Sequence, residues 1–261
     1  MTIQVDPDWW RTLFDGVYLV TDARSVCDDD LTRKETAIFI DMLGLQPGAR
    51  VLDLCGGHGR HSIELAQKGM VSSVVDYSDF LIEHGQALAS DRGLNIDFLQ
   101  ADARKTGLPD SSFDCALVLG NSLGYLSDKD ADREILEETR RLLTPCGKIL
   151  VDVTDGRSVE ENFVPSAWHE IGEDTVVCRQ REILDGRVNA REMVICKKDG
   201  LIRDKTYSIK LYEPEQLLDL AERAGFENAR LHTDFSPNHA DGDLGFMNCR
   251  MVLTAVNPEP S

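Results

Sequence analysis

The chain has 261 residues, 42% of them hydrophobic, and a formal net charge of −18. A chain of this size can bury a substantial core. The negative charge argues against a nucleic-acid partner, because binding phosphates requires a cationic surface. No apolar run approaches the roughly 20 residues of a membrane span, and the acidic, aromatic start MTIQVDPDWW does not resemble a signal peptide. We therefore expect a cytoplasmic protein with no membrane partner.

The seven cysteines are scattered along the chain. No CxxC pair and no His/Cys cluster has the spacing of a zinc site, so the sequence predicts no metal. An odd number of unclustered cysteines is typical of a reducing compartment, where they serve as small core or turn residues.

Residues 1 to about 30 form an aromatic, acidic leader that contains Tyr18. It precedes Thr32 and Glu35, which have the spacing of a capping box and predict the start of the helix TRKETAIFIDMLGL. Two interpretations of the leader are open. It packs on the back of a sheet, or it covers a binding site with Tyr18 and Arg33 reaching in.

The segment VLDLCGGHGRH, residues 51–61, predicts an apolar strand, a glycine-rich turn and the start of a helix. The strand carries an acid, Asp53, and the turn contains Gly57 and Gly59. Such a turn gives a ligand access to the helix N-terminus. The carboxylate beside it fits an adenosine cofactor with an amino-acid tail better than a pyrophosphate, because the dinucleotide fingerprint G-x-G-x-x-G needs no preceding acid.

Four further strands are predicted within residues 71–153. The first ends at Asp76, about 20 residues beyond the glycine turn, where a nucleotide-binding unit places its ribose-binding acid. The second ends near Asp102, and FDCALVLGNSLGYL is a buried strand that runs into a loop. LTPCGKILVDV is a turn followed by the last of these strands. The order of strands and helices predicts a doubly wound sheet.

Read as D-x-C-x-G-x-G, the glycine turn resembles motif I of the class I S-adenosylmethionine (SAM) dependent methyltransferases, with Cys55 at the first glycine position. Matching segments extend over about residues 31–153. The resemblance implies a Rossmann-like seven-stranded sheet with a reversed final hairpin, formed by GFENARLHTDF and FMNCRMVLTAV. It implies SAM as cofactor. Arg33 is expected to pair with the SAM carboxylate, and Asp76 to accept hydrogen bonds from the ribose hydroxyls. Asp102 and the Ala103 amide are expected to contact the adenine. The full set of cofactor residues that we predict is Tyr18, Arg33, Asp53, Cys55, Gly57, Gly59, Asp76, Tyr77, Asp102, Ala103 and Gly120.

The alternation of strands and helices breaks after residue 153. Three β-rich runs follow, joined by Asp185-Gly186 and Asp199-Gly200, and Asp-Gly is a strong hairpin signal. We expect a small antiparallel sheet inserted in the core. The chain is therefore divided into a leader and cofactor-binding core (1–159), an inserted β subdomain (160–211) and a C-terminal helix and hairpin (212–261).

An inserted sheet at that position would form one side of the substrate site and restrict the site to a small molecule. The stretch LGNSLGYL is similar to the Leu-Gly-Asn-Ser segment of glycine N-methyltransferase-like enzymes, which makes Asn121 and Tyr125 the candidate catalytic residues. The prediction is direct in-line methyl transfer to a small metabolite. Alternatives are a non-catalytic SAM or S-adenosylhomocysteine (SAH) binding protein and, more distantly, a propylamine transferase. The accepting atom and a homodimer are left open.

Overall fold

The computed structural model describes residues 2–22, 27–232, 235 and 250–259. The helices are α1 Trp10–Leu13, α2 Gly16–Thr21, α3 Asp29–Leu43, α4 Arg60–Gln67, α5 Asp79–Asp91, α6 Ala131–Leu142, α7 Gly156–Glu161 and α8 Pro214–Arg223. The strands are β1 Arg50–Leu54, β2 Val71–Asp76, β3 Asp97–Gln100, β4 Phe113–Val118, β5 Leu143–Thr154, β6 Ser166–Ile171, β7 Thr175–Leu184, β8 Arg187–Cys196, β9 Gly200–Lys210, β10 Glu227–His232 and β11 Arg250–Val256.

Seven strands form the main sheet in the order β10-β11-β5-β4-β1-β2-β3. All neighbours from β5 to β3 pair in parallel, whereas β11 is antiparallel to both β5 and β10. The predicted doubly wound sheet with a reversed final hairpin is confirmed. The apolar residues of its central strands are buried on both faces, which is why these strands are near-continuous runs of Val, Leu and Ile.

The inserted sheet is antiparallel, as predicted, but it has four strands in the order β6-β7-β8-β9. The sequence reading missed β6, whose residues SAWHEI alternate between intermediate and exposed positions and contain no continuous apolar run. Asp185 and Gly186 form the β7–β8 turn with positive φ angles of 51° and 69°, the conformation that favours Asp-Gly in two-residue hairpins. These strands lie within 160–211, while the proposed domain division itself stays a prediction.

The first long helix begins earlier than the capping-box prediction placed it. Helix α3 starts at Asp29, and the Asp28 carboxylate caps it by accepting from the Leu31 amide at 2.9 Å. Thr32 and Glu35 lie inside the helix on its buried face. The adjacent acids at 28–30 supplied a better N-cap one turn upstream, because a carboxylate at the cap also interacts favourably with the helix dipole.

The sheet order places a crevice at the carboxyl ends of β1 and β4. From β1 the chain proceeds outward through β2 and β3, and then returns to the other side of β1 with β4. Helices leave in opposite directions at such a switch point, so the connecting loops separate and leave room for a ligand. The loops that follow β1, β2, β3 and β4 all reach this crevice.

Most of the segment between the last two strands, including His239, lies outside the described residues. No helix in the part of the chain that the structure describes is long and apolar enough to cross a membrane.

Gly124 provides a test of how the inserted sheet joins the core. It has φ of +88°, its carbonyl accepts from the Lys210 amide at 2.9 Å, and a Cβ added to it would lie 2.8 Å from Lys210 Cβ. Gly107 shares the positive φ, of +76°, but a Cβ there would meet nothing within 4 Å. We expect Gly124→Ala to lower the unfolding free energy by about 1–3 kcal/mol more than Gly107→Ala, because only the first overpacks. Urea unfolding of both variants checks this, and equal losses would contradict it.

Candidate active site

One cavity occupies the crevice and extends from the glycine turn (residues 55–59) to the inserted sheet. Eleven of the predicted site residues line it: Tyr18, Asp53, Cys55, Gly57, Asp76, Tyr77, Asp102, Ala103, Gly120, Asn121 and Tyr125. Their functional roles stay predictions. Two others, Gly59 and Arg33, are not among the lining residues. Gly59 has φ of +71° as the residue before α4, and a Cβ there would lie 3.0 Å from Phe98 and from Val74.

The glycine turn is shaped so that a carboxylate faces the cavity. Cys55 has a left-handed φ of 59°, which explains why glycine is usual at this position of the motif. A Cβ on Gly56 would lie 2.6 Å from Asp53 Cγ, so only glycine leaves room for that carboxyl group. Asp53 Oδ2 accepts from Ser62 Oγ at 3.0 Å, while Oδ1 has no hydrogen-bond partner among the described residues. Burial raises the pKa of Asp53 to about 6.

Asp76 links the end of β2 to the glycine turn. One carboxylate oxygen accepts from the Gly57 amide and the other from the Ser78 amide, each at 2.8 Å. Burial raises the pKa of Asp76, and these two amide bonds partly oppose that shift. Each oxygen keeps a second lone pair, so the carboxylate can still accept from two hydroxyls.

Asp102 is held by a neighbour in the chain. Arg104 contacts both of its carboxylate oxygens, with Nε at 3.0 Å and Nη2 at 2.6 Å, and its side chain holds the pKa of Asp102 below the usual value. A ligand amino group at this position would therefore share the carboxylate with Arg104.

Arg33 is a correction to the sequence reading. Its side chain is 55% exposed and pairs with Asp30 at 2.6 Å, away from the cavity. The buried face of α3 carries Thr32, Glu35 and Thr36. Arg33 follows Thr32, and successive residues of an α-helix are rotated by about 100°, so Arg33 points away from that face. Arg60, at the start of α4, lines the cavity instead, with its side chain 12% exposed.

A buried chain of charges fixes the elements around the cofactor end. Glu35, fully buried on α3, accepts from His61 at 3.0 Å, pairs with Arg60 at 2.7 Å, and contacts Arg250 of β11. Burial opposes the charge of Glu35, but the His61 hydrogen bond and the two arginines keep its pKa below the usual value. Burial lowers the pKa of His61 to about 4. The ring is therefore neutral and donates to Glu35.

Arg250 extends this chain to the loop after β4, residues 119–126. Its guanidinium contacts both carboxylate oxygens of Asp152 on β5, with Nε at 2.8 Å. Asp152 Oδ2 in turn accepts from the Gly120 amide at 3.0 Å. The side-chain oxygen of Asn121, a residue predicted to be catalytic, accepts a hydrogen bond from the Thr154 amide at 2.9 Å. That oxygen therefore holds the loop against the end of β5.

The other end of the cavity is bounded by charged residues of the inserted sheet. Arg179 on β7 lies opposite Glu192 on β8, and their side chains pair at 2.9 Å. Arg203 on β9 pairs with the same carboxylate at 3.2 Å. These three side chains are at most 6% exposed. Each arginine also reaches the leader, where Arg179 meets Asp22 at 3.3 Å and Arg203 contacts Asp15.

The described part of the leader closes the cavity with aromatic rings. Trp9 packs edge-on against Tyr125 with ring centroids 5.0 Å apart, and lies 5.9 Å from Tyr207 of β9. Phe14 stacks on Tyr125 at 5.7 Å and meets Tyr18 at 5.0 Å. Of the two interpretations of the leader, the structure favours the cover over the site.

Sequence reasoning missed the charged residues that organise both ends. Asp152 and Arg250 looked like ordinary strand residues, and Glu35 was assigned to a capping box. A signal was nevertheless present, because Asp152 lies inside the apolar run ILVDV and Arg250 precedes the apolar strand MVLTAV. A charge inside a buried strand requires a partner. Which residues pair could not be deduced, since the partners are about 100 or more positions apart.

Comparison with known proteins agrees with the geometry. Residues 51–147 match the sequence profile of a family described as a methyltransferase domain. The chain is 28% identical over 214 residues to YqeM of Bacillus subtilis (strain 168), which carries a provisional methyltransferase assignment, covering 80% of this chain and 86% of that protein.

Two solved structures share the fold. The CcbJ methyltransferase from Streptomyces caelestis superposes with a TM-score of 0.76 at 18% identity, covering 97% of this chain and all of that one. The sugar N-methyltransferase KedS8 from Streptoalloteichus sp ATCC 53650 superposes with a TM-score of 0.70 at 19% identity, covering 99% and 97%. The domain match, the YqeM relative and the shared fold together support a class I SAM-dependent methyltransferase with SAM as its cofactor.

The buried charge chain yields a matched pair of variants. We expect Arg250→Met to lower the unfolding free energy by about 3–5 kcal/mol, because it leaves the buried Glu35 and Asp152 without their shared cation. Arg33→Met removes an exposed ion pair and should leave the unfolding free energy almost unchanged. Urea unfolding measures both. Calorimetry should also give unchanged SAM affinity for Arg33→Met; a large loss there would restore the original assignment.

Proposed function

We propose that the chain transfers the methyl group of SAM to a small molecule bound between the aromatic leader and the inserted sheet. The observation that carries this proposal is the continuity of one cavity from the glycine turn to a wall formed by Tyr125, Tyr207 and the leader. A site enclosed on that side accommodates a metabolite but not a polymer. The net charge of −18 separately disfavours a nucleic-acid acceptor.

The cofactor end fits SAM by its donor and acceptor set. Asp53 presents a buried carboxylate oxygen without a partner among the described residues, and a buried unpaired acceptor of this kind suits a cationic donor. Asp76 is arranged to accept from the ribose hydroxyls, and Asp102 with Ala103 to meet the adenine. Arg60 is our candidate for the cofactor carboxylate, in place of Arg33. When bound, SAM supplies an electrophilic methyl group that needs no further activation.

The protein's own contribution is then positioning. Holding two reactants in line can supply roughly 7–11 kcal/mol of barrier reduction. The loop that carries Gly120 and Asn121 lies between the two ends and is fastened to β5 by Asp152 and Thr154. This rigid attachment supports the role of Asn121 and Tyr125 in orienting the acceptor. The non-catalytic alternative is not favoured, since all three predicted acids line the cavity.

The test is transfer from [methyl-¹³C]SAM into a metabolite extract from cells, followed by isolation of the labelled product by mass spectrometry. We expect one or a few small labelled products. Binding of SAM without any labelled small molecule would support the non-catalytic alternative, and equal labelling of bulk RNA or protein would contradict the closed pocket.

Asp53 provides a pH-dependent test of the cofactor assignment. Its pKa of about 6 in the free protein means that it is ionised at neutral pH and becomes protonated below that value. A cationic ligand favours the ionised form, so SAM should bind about tenfold more weakly at about pH 5 than at about pH 7. In Asp53→Asn this component of the pH dependence should disappear. Calorimetric titration of both proteins measures it, and identical pH profiles would refute the contact.

A further inference from the structure

We infer that the accepting atom is an amine nitrogen, and that the aromatic wall recognises the ammonium group formed on it. This inference rests on the proposed function and narrows its substrate class. The wall consists of the five aromatic rings that face the acceptor end of the cavity: Trp9, Phe14, Tyr18, Tyr125 and Tyr207. They come from the leader, the loop after β4 and the inserted sheet.

The rings pack into one continuous aromatic surface at this end of the cavity. Consecutive pairs have centroid separations from 5.0 to 5.9 Å, and the Trp9–Tyr125 and Phe14–Tyr18 pairs are edge-to-face. An aromatic face attracts a cation within about 6 Å of the ring centre, most strongly where water is excluded. Quaternary and methylated ammonium groups are the ligands that such cages recognise.

The charges near the wall leave neither nearby arginine available to an anionic acceptor. The preference for a cation comes from the aromatic faces, whose negative quadrupole attracts cations and not anions. Asp22 and Glu192 line the cavity, and each is already engaged by the buried arginines of the inserted sheet. Arg179 and Arg203 are therefore committed to protein carboxylates. A substrate carboxylate would have to compete with Asp22 and Glu192 for them in a region of low dielectric, where like charges repel strongly.

The same pairing favours an amine over a hydroxyl or a carbon acid. A hydroxyl or carbon acid must give its proton to a base before or during methyl transfer. The two carboxylates at this end are held by Arg179 and Arg203. A neutral amine already has a free lone pair and requires no base in that step.

The reaction balances as follows. The amine enters without its extra proton, which has passed to water. Its nitrogen lone pair forms the new N–C bond while the C–S bond breaks, and that electron pair stays on sulfur. The positive charge thus moves from sulfur to nitrogen during transfer. The aromatic faces stabilise the charge where it develops, which is how binding groups lower a barrier. The methylated ammonium later releases a proton to water.

The inference is tested by three probes of nearly the same shape that differ in charge: choline, the neutral 3,3-dimethylbutan-1-ol and the anionic 3,3-dimethylbutanoate. Isothermal titration with SAH present should show choline binding at least tenfold more tightly than either of the others. Equal binding of all three, preference for the carboxylate, or no binding of choline would overturn the inference.

Matched variants locate the binding. Trp9→Leu and Tyr207→Leu should each weaken choline at least fivefold, and Tyr207→Phe should retain most of the affinity because it keeps the ring. Trp168→Leu removes a tryptophan that is 69% exposed on β6 and should change nothing. SAH affinity, measured in each variant, shows that the fold and cofactor end are intact. Loss of choline binding equally in Trp168→Leu would contradict the location.

The product of the ¹³C transfer experiment gives a second readout. The chemical shift of its labelled methyl carbon distinguishes attachment to nitrogen from attachment to oxygen, sulfur or carbon. We expect nitrogen. A methyl group on any other atom would overturn this inference while leaving the proposed methyltransferase function intact, whereas failure of SAH to bind would remove both.

Discussion

The cofactor end of this protein depends on one buried cation, the guanidinium of Arg250. It lies between Glu35 on α3 and Asp152 on β5, and neither carboxylate has appreciable exposure. Through Glu35 it is connected to Arg60 and His61 at the start of α4, and through Asp152 to the Gly120 amide. Burying charge is tolerable only where each charge is paired and hydrogen-bonded. The five segments that carry these groups must therefore meet in one relative arrangement, and that arrangement shapes the cofactor end of the cavity.

At the acceptor end a second set of buried charges holds the leader against the inserted sheet. Glu192 holds two arginines on the face of the inserted sheet that points into the cavity. These arginines extend to Asp15 and Asp22 and so fasten the leader over the opening. The leader also joins the core, since its Phe14 carbonyl accepts from Ser78 Oγ at 2.7 Å.

The two ends differ in how they treat charge. At the cofactor end the carboxylate of Asp53 is buried and that of Asp76 is half-buried, and the pKa of each is raised. This suits a ligand that brings positive charge and hydroxyl donors. At the acceptor end the charged side chains already compensate one another, and the surface offered to a ligand is aromatic. A fold shared among many methyltransferases does not determine the acceptor. In this chain the leader, the loop after β4 and the insertion line the acceptor end of the cavity.

The sequence by itself determined the fold class, the order of the core strands and most of the residues at the cofactor end. These features are encoded locally: Asp53, the glycine turn and Asp76 lie at fixed distances along the chain, and the hydrophobic period marks the strands between them. Tyr18 and Tyr125 also line the cavity, and their roles stay predictions. The start of α3, by contrast, was misplaced by choosing one of two competing local caps.

Only the tertiary structure decided which charged residues pair and which arginine reaches the cavity. Arg33 lies on the exposed face of α3 and pairs with Asp30, whereas Arg60 at the start of α4 lines the cavity. The partnership of Arg250 with Glu35 spans 215 positions, and that of Arg203 with Asp15 spans 188. Pairings of this kind leave no periodic signal, because they form only after separate elements have packed and a buried charge must take the partner that packing brings within reach.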